Sequence, residues 1–436
     1  MAAPTTMSSP PEAAGSSGLQ RFSNTGAKVV ALGAAQCAVY SFPVIFAIVC
    51  ARNLGPSQYG TVAFYTALTS FLCMFVEFGF DSIGVREVHS SRWRARPVQV
   101  LWSVTVAKLA ICLPTCALVL PILLASRNPA EGPMSYAMVF YMVAFALEPS
   151  WYLRSLELMW AAAAVAIVSR VAGMVLLLRT VTTHDDLTLA MWVYAFVAWA
   201  SALAGWLLMR HLRLLGRPRL DVRLLRDLFR SGGTLVIGNL SGASVANGGI
   251  AVLGAIGDPV VTGAANIALR VRAAGLAILA PLGQLGYVRL SALMADPSAA
   301  VRFGRSLFYM LMACSVGVAL LVSANADTIA AFAYGTAQAP AAAVTLTSLI
   351  ALGLPVCMAG TLFGTQCLVL FHQERTYVLI ALVYAAIFFG LLLSFHPNSP
   401  TGFGWALLAA DAWVAITAGL GLRAIARKRH AEAAAA

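Results

Sequence analysis

Residues 187–231 read LTLAMWVYAFVAWASALAGWLLMRHLRLLGRPRLDVRLLRDLFRS. The stretch up to residue 209 carries no charged side chain, and a helix needs about 20 consecutive apolar residues to cross hydrocarbon. Seven arginines then fall between Arg210 and Arg230. A long apolar run that ends in a basic loop is what a membrane span reaching an interface looks like. Similar runs lie at about 28–50, 60–84, 99–125, 134–153 and 158–181 before this one, and at about 231–256, 261–288, 303–325, 341–369, 376–395 and 402–424 after it. They are too long and continuous for barrel strands, which would alternate over about ten residues. The expected fold class is therefore an all-α polytopic membrane protein of about twelve transmembrane helices, divided by the basic loop into two six-helix bundles.

Composition agrees. Of 436 residues, 60% are hydrophobic and 11% charged, whereas soluble chains carry roughly a quarter charged residues. The net charge of +12 comes from basic residues scattered between apolar runs, so topology rather than nucleic acid accounts for it. Counting Lys and Arg in alternate loops puts 22 on one side and three (Arg52, Arg127, Arg179) on the other. By the positive-inside rule both termini face the cytoplasm. The organisation expected is a disordered cytoplasmic tail over 1–27, bundles over 28–209 and 231–425, a basic linker over 210–230, and a cytoplasmic tail over 426–436. The first run is long enough to be retained as a span rather than removed as a signal. A shift of 203 residues places Gly60 on Gly263, Val85 on Val288 and Arg86 on Arg289, a faint repeat that fits two related halves.

The eight cysteines show no CxxC, and GxxxxGK[ST], HExxH and GxSxG are absent. No metal, cofactor or catalytic residue is expected. Chemistry must instead come from ionisable groups inside the apolar runs, because a charge there costs several kcal/mol unless it faces protein or water. The bases are Lys108, Arg170, Arg270 and Arg272. At a 1.5 Å rise per residue, Lys108 and Arg270 each lie roughly 13 Å along their spans, near the midplane. Four cations on three helices suggest a cationic chamber between the halves, and guanidinium forks suit a diphosphate. Asn266 lies one turn from Arg270 and joins it as a ligand candidate, while Arg272 points elsewhere. The opposing reading pairs these bases with the acids Glu77, Asp81, Glu148 and Asp411, with Glu77 at the depth of Lys108. Glu77 and Asp81, spaced i,i+4 on one face, form either a polar network with Arg86 or a cation or proton site. Asp411 has no evident partner in sequence and is either a structural acid or a coupling site.

Ala51-Arg-Asn-Leu-Gly-Pro-Ser-Gln-Tyr-Gly60, followed by a span ending Glu77-Phe-Gly-Phe-Asp-Ser-Ile-Gly-Val-Arg86, resembles the Wzx-type polysaccharide flippase family, where an LGxxxYG turn joins the first two spans. Trp151-Tyr-Leu-Arg-Ser-Leu-Glu-Leu-Met159 is similar to that family's turn after span 4, with Ser155 in place of Gly. Weaker likenesses run through Gly263–Leu290, Ala331–Gly335 and Gly360–Glu374. The resemblance implies the MATE-like superfamily, a central cavity between the bundles and alternating access. It implies a polyprenyl-diphosphate-linked oligosaccharide as substrate, flipped between leaflets of a bacterial inner membrane for surface polysaccharide or exopolysaccharide synthesis. Implied partners are the lipid bilayer, a polysaccharide polymerase and export proteins. In such lipid flippases basic residues hold the diphosphate, a role that maps first onto Arg270 and then onto Lys108, Arg170 and Arg272. Two competitors stand beside this reading. One is a multidrug cation antiporter, which four midplane bases disfavour; the other is a membrane enzyme acting on lipid-linked sugars.

Overall fold

The computed structural model describes residues 41–90, 96–293, 297–368, 373–396 and 399–435. The N-terminal tail, the first half of the first expected span and Ala436 lie outside the described residues. Among the described residues the secondary structure is helical, with no strand.

The first half contains α1 (Ser41–Leu54), α2 (Pro56–Glu77), α3 (Phe80–His89), α4 (Pro97–Ser126), α5 (Gly132–Leu147), α6 (Ser150–Ser155), α7 (Met159–Thr180) and α8 (Leu187–His211). The second contains α9 (Val222–Ala243), α10 (Gly249–Ile256), α11 (Pro259–Ala292), α12 (Pro297–Ala324), α13 (Ala326–Tyr334), α14 (Ala341–Leu352), α15 (Leu354–Thr361), α16 (Glu374–Ser394) and α17 (Pro400–Ala435). Ten helical stretches among the described residues are long and apolar enough to cross a membrane, and two shorter apolar helices, Ser41–Leu54 and Val245–Ile256, stand where the first and seventh spans were expected. The basic segment expected over 210–230 holds the end of α8 and, from Val222, the first turns of α9.

Several spans are broken, and not mainly at proline. Pro114 and Pro121 sit inside the unbroken α4, and Pro281 sits inside the unbroken α11. Span 2 instead breaks at Phe78 and Gly79, both with left-handed backbone (φ 45° and 72°). Glycine adopts that conformation freely and phenylalanine at a cost. A π-helical turn, Ser244–Gly248, separates α9 from α10, and a second, Leu362–Leu368, follows α15. Such turns mostly occur as single insertions near functional sites.

Among the described residues the two halves share their largest common core at one end. Near the α1–α2 and α10–α11 turns, where few bases lie, one continuous core spans both halves: Phe46, Tyr59 and Tyr65 from the first with Ala264, Tyr334 and Phe403 from the second. Its centre is the crossing of α2 and α11, both of which begin with proline in the first turn. A Cβ added at Gly60 would fall 1.8 Å from the Pro259 carbonyl oxygen, and one at Gly263 would fall 3.3 Å from Gly60 Cα. Only glycine lets the two backbones approach this far, as in tightly crossed membrane helices. The glycines related by the 203-residue offset are thus in contact with each other.

Toward the arginine-rich end the core divides. Phe80, Leu101 and Trp151 form one cluster, joined by Leu224 and Leu228 of α9. Leu279, Leu307 and Met358 form another, and Leu368, Ile380 and Ala418 a third. Phe229 of α9 packs edge-on against Phe80, with ring centroids 5.3 Å apart. The opening turns of α9 therefore sit on the first half, while α16 contacts the same helix from the second.

Candidate functional site: the seam between the halves and its buried charges

The seam is built from side chains that each capture a group from the opposite half. Arg52, at the end of α1, donates from Nε to the Phe332 carbonyl on α13 at 2.8 Å, and its guanidinium lies 4.9 Å from the Phe332 ring centroid. Arg127 donates to the Gly254 carbonyl at 3.1 Å and covers the Phe64 ring at 4.1 Å. Two of the three bases on the arginine-poor side are thus spent on joining the halves. Tyr59 packs edge-on against Tyr334 with centroids 5.9 Å apart.

One polar chain runs through this seam toward the interior. The Tyr59 hydroxyl donates to Asn266 Oδ1 at 3.2 Å, and Arg270 Nε donates to the same oxygen at 2.8 Å. Asn266 and Arg270 are one turn apart on α11, whereas Tyr59 comes from α2. Arg270 also faces Cys50 of α1. Among the described residues no carboxylate pairs with Arg270, which is half-buried. A guanidinium held through Nε by a neutral amide keeps its charge and its terminal N–H groups for another acceptor.

The other bases sit differently. Lys108 is 2% exposed and pairs with Asp81 at 2.5 Å, with the Phe145 ring 5.7 Å away. Its acid is not Glu77, the partner that equal depth along straight helices had indicated. The break at Phe78 and Gly79 starts a new helix before Asp81, so Glu77 and Asp81 do not share one helical face. Arg272, two residues beyond Arg270, turns into the second half and pairs with Asp411 of α17 at 2.8 Å. Asp411 therefore has a partner, 139 residues away and invisible to local sequence. Lys108 and Arg272 lie inside their own halves rather than in a chamber between them. Arg170, half-buried on α7, donates to its own Ala166 carbonyl at 3.1 Å. Glu148 accepts from Ser201 at 2.7 Å. Glu77 is half-buried, with Asp81, Lys108 and Arg154 as its charged surroundings.

Sequence reasoning did not single out Tyr59, Arg52 or Tyr384. The first had a usable signal, since it is the tyrosine of the Leu54…Tyr59-Gly60 turn. The contacts of Arg52 and Tyr384 come from distant segments and leave no local pattern.

Two helical halves that share one core at the sparsely basic end, built from ten apolar stretches among the described residues that are long enough to span, define a multi-pass membrane protein. The overall path of the chain matches an inward-facing multidrug resistance MATE family transporter of the MOP superfamily (TM-score 0.67, 13% identity, 92% of this chain and 99% of that one). It also matches the lipid II flippase MurJ in an inward closed conformation (TM-score 0.61, 12% identity, 90% of this chain and 87% of that one). An Escherichia coli (strain K12) relative named for O-antigen transport is 23% identical over 265 residues, covering 60% of this chain and 64% of that relative. Residues 25–287 match the family model described as polysaccharide biosynthesis protein, and the chain belongs to that family.

Proposed function

We propose that the protein flips a polyprenyl-diphosphate-linked oligosaccharide from the cytoplasmic to the outer leaflet of a bacterial inner membrane, by alternating access of its two bundles. The observation that carries this reading is Arg270: a cation beside the seam, at the depth where a head group must cross, held by a neutral amide. Desolvating a diphosphate would otherwise forbid crossing, and a guanidinium binds phosphate with two parallel hydrogen bonds. The sugars and diphosphate enter between the two bundles while the prenyl tail stays in lipid. With both termini cytoplasmic, as the positive-inside rule requires, the arginine-rich end faces the cytoplasm. Asn266 positions Arg270, and Arg170 is the second cation not held by an acid. Asp81 and Asp411 are each neutralised by a base, which leaves Glu77 as the acid best suited to coupling transport to an ion gradient. The protein moves its substrate without making or breaking a bond in it; a polymerase and export proteins act afterwards.

The test is reconstitution in liposomes with a lipid-linked oligosaccharide and a probe for its appearance in the opposite leaflet. Arg270→Glu should abolish flipping. Arg270→Gln should lower it about tenfold or more, the size of one charge-assisted hydrogen bond. Retained flipping in Arg270→Glu, or efflux of organic cations that rises with this substitution, overturns the reading in favour of a cation antiporter. A chemically altered product would show an enzyme instead.

A further inference from the structure

The second half contains a cavity of about 300 Å³ that the seam does not use, lined by α11, α15, α16, α17 and the π-helical turn Ser244–Gly248. Its polar groups are Arg272, Asp411, Tyr384, Tyr377, Thr361 and Cys357; most of the remaining wall is aliphatic. The Arg272–Asp411 pair is electrically neutral, so neither a free anion nor a free cation has a net charge to meet there. Yet the pair is incompletely used. Arg272 is 9% exposed, and among the described residues its Nη1 has no hydrogen-bond partner. Asp411 Oδ2 meets only the guanidinium, while Tyr384 adjoins the same carboxylate. Buried polar atoms ordinarily find partners. Here an unmatched guanidinium N–H and a carboxylate oxygen held only by the ion pair lie in one small cavity bordered by two tyrosine rings.

We propose that this cavity binds one sugar ring of the substrate head group. A sugar ring offers neighbouring hydroxyls that each donate and accept, which answers a neutral donor–acceptor pair, and C–H faces that lie against aromatic rings. The volume is at the lower end for ligand pockets, about 300–1,000 Å³, and so takes a single ring rather than an oligosaccharide. A few polar groups converging in an otherwise apolar cleft is also how orientation and selectivity are fixed in small-molecule sites. The proposal rests on the glycolipid reading above and adds a residue set for sugar selectivity. The diphosphate is held by Arg270 at the seam, and one sugar is held by Arg272, Asp411 and Tyr384 on the other face of α11.

Cys357 provides the measurement, because it is a free thiol in the cavity wall. The purified full-length protein is treated with a small maleimide, and labelling of the Cys357 peptide is followed by mass spectrometry. Glucose, galactose, N-acetylglucosamine and, separately, inorganic pyrophosphate serve as probes. At least one neutral sugar should slow labelling, roughly twofold when its concentration equals Kd, since half the sites are then filled. Tyr384→Phe, which keeps the ring and removes the hydroxyl, should abolish the protection while leaving the unprotected labelling rate unchanged. Protection by pyrophosphate and not by sugars would overturn the proposal in favour of a phosphate site. No protection by any probe, or a thiol that never labels in the folded protein, would overturn it as well. The measurement does not depend on flipping. Sugar protection in a protein that flips no glycolipid would sink the flippase reading and keep the subsite, and the reverse result would do the opposite.

Discussion

The two buried ion pairs have the same charges and different surroundings. In the first half, Lys108 is enclosed by protein, with Asp81 on one side and the Phe145 ring on another. In the second, Arg272 and Asp411 line a cavity, and one guanidinium nitrogen has nothing to bind. A lysine ammonium is a compact charge that one carboxylate and an aromatic face can satisfy, whereas a guanidinium has five donors in a fixed plane. A pair whose lysine is wholly enclosed acts as a rivet between α3 and α4. A pair left open toward a cavity has capacity for a ligand. Burial alone therefore does not separate the two pairs; the cavity beside one of them does.

Substitutions can break this comparison at several strengths. The largest effect is expected for Asp411→Asn, which strands Arg272 among groups that are almost wholly enclosed; about 3–5 kcal/mol of stability should be lost, seen as a fall in Tm in detergent. Asp81→Asn should cost less, about 2 kcal/mol, because Asp81 is 24% exposed and water can partly replace it. An equal or greater loss at Asp81 would show that the rivet matters more than the pair beside the cavity.

Removing both partners sharpens the contrast. Lys108→Met with Asp81→Leu should restore stability to within about 1 kcal/mol of the parent, as apolar replacement of a buried pair often does, and should keep flipping in liposomes. Arg272→Met with Asp411→Leu should recover Tm to a similar degree and still lack sugar protection at Cys357. If the two double variants behave alike, the distinction drawn between the pairs fails. The smallest effect is expected for Arg52→Ala, about 1 kcal/mol or less, the ordinary value of one hydrogen bond. Its signature would be faster labelling of a cysteine introduced at Tyr59, reporting a loosened seam.

The spans were legible because membrane insertion is written locally. A run such as 158–181 in sequence became α7, Met159–Thr180, almost residue for residue, and the Gly60–Gly263 repeat proved to be a physical contact. The charge pairs were legible only as a list of candidates. Depth estimates assumed straight helices, and the left-handed backbone at Phe78 and Gly79 removed that assumption for Lys108. Arg272 and Asp411 are joined by the fold of a whole bundle, which no window of sequence contains. The two π-helical turns likewise depend on tertiary packing, although glycines at Gly248 and Gly249 mark the site of the first.

The crossing of α2 and α11 has a mechanical consequence. Where Gly60 on one rod meets Gly263 on the other, backbone lies against backbone, with the Tyr59 ring beside them. Such a joint is either seated or undone, with no intermediate fit to rest in. A larger side chain at either position would have to push the two rods apart before they could seat.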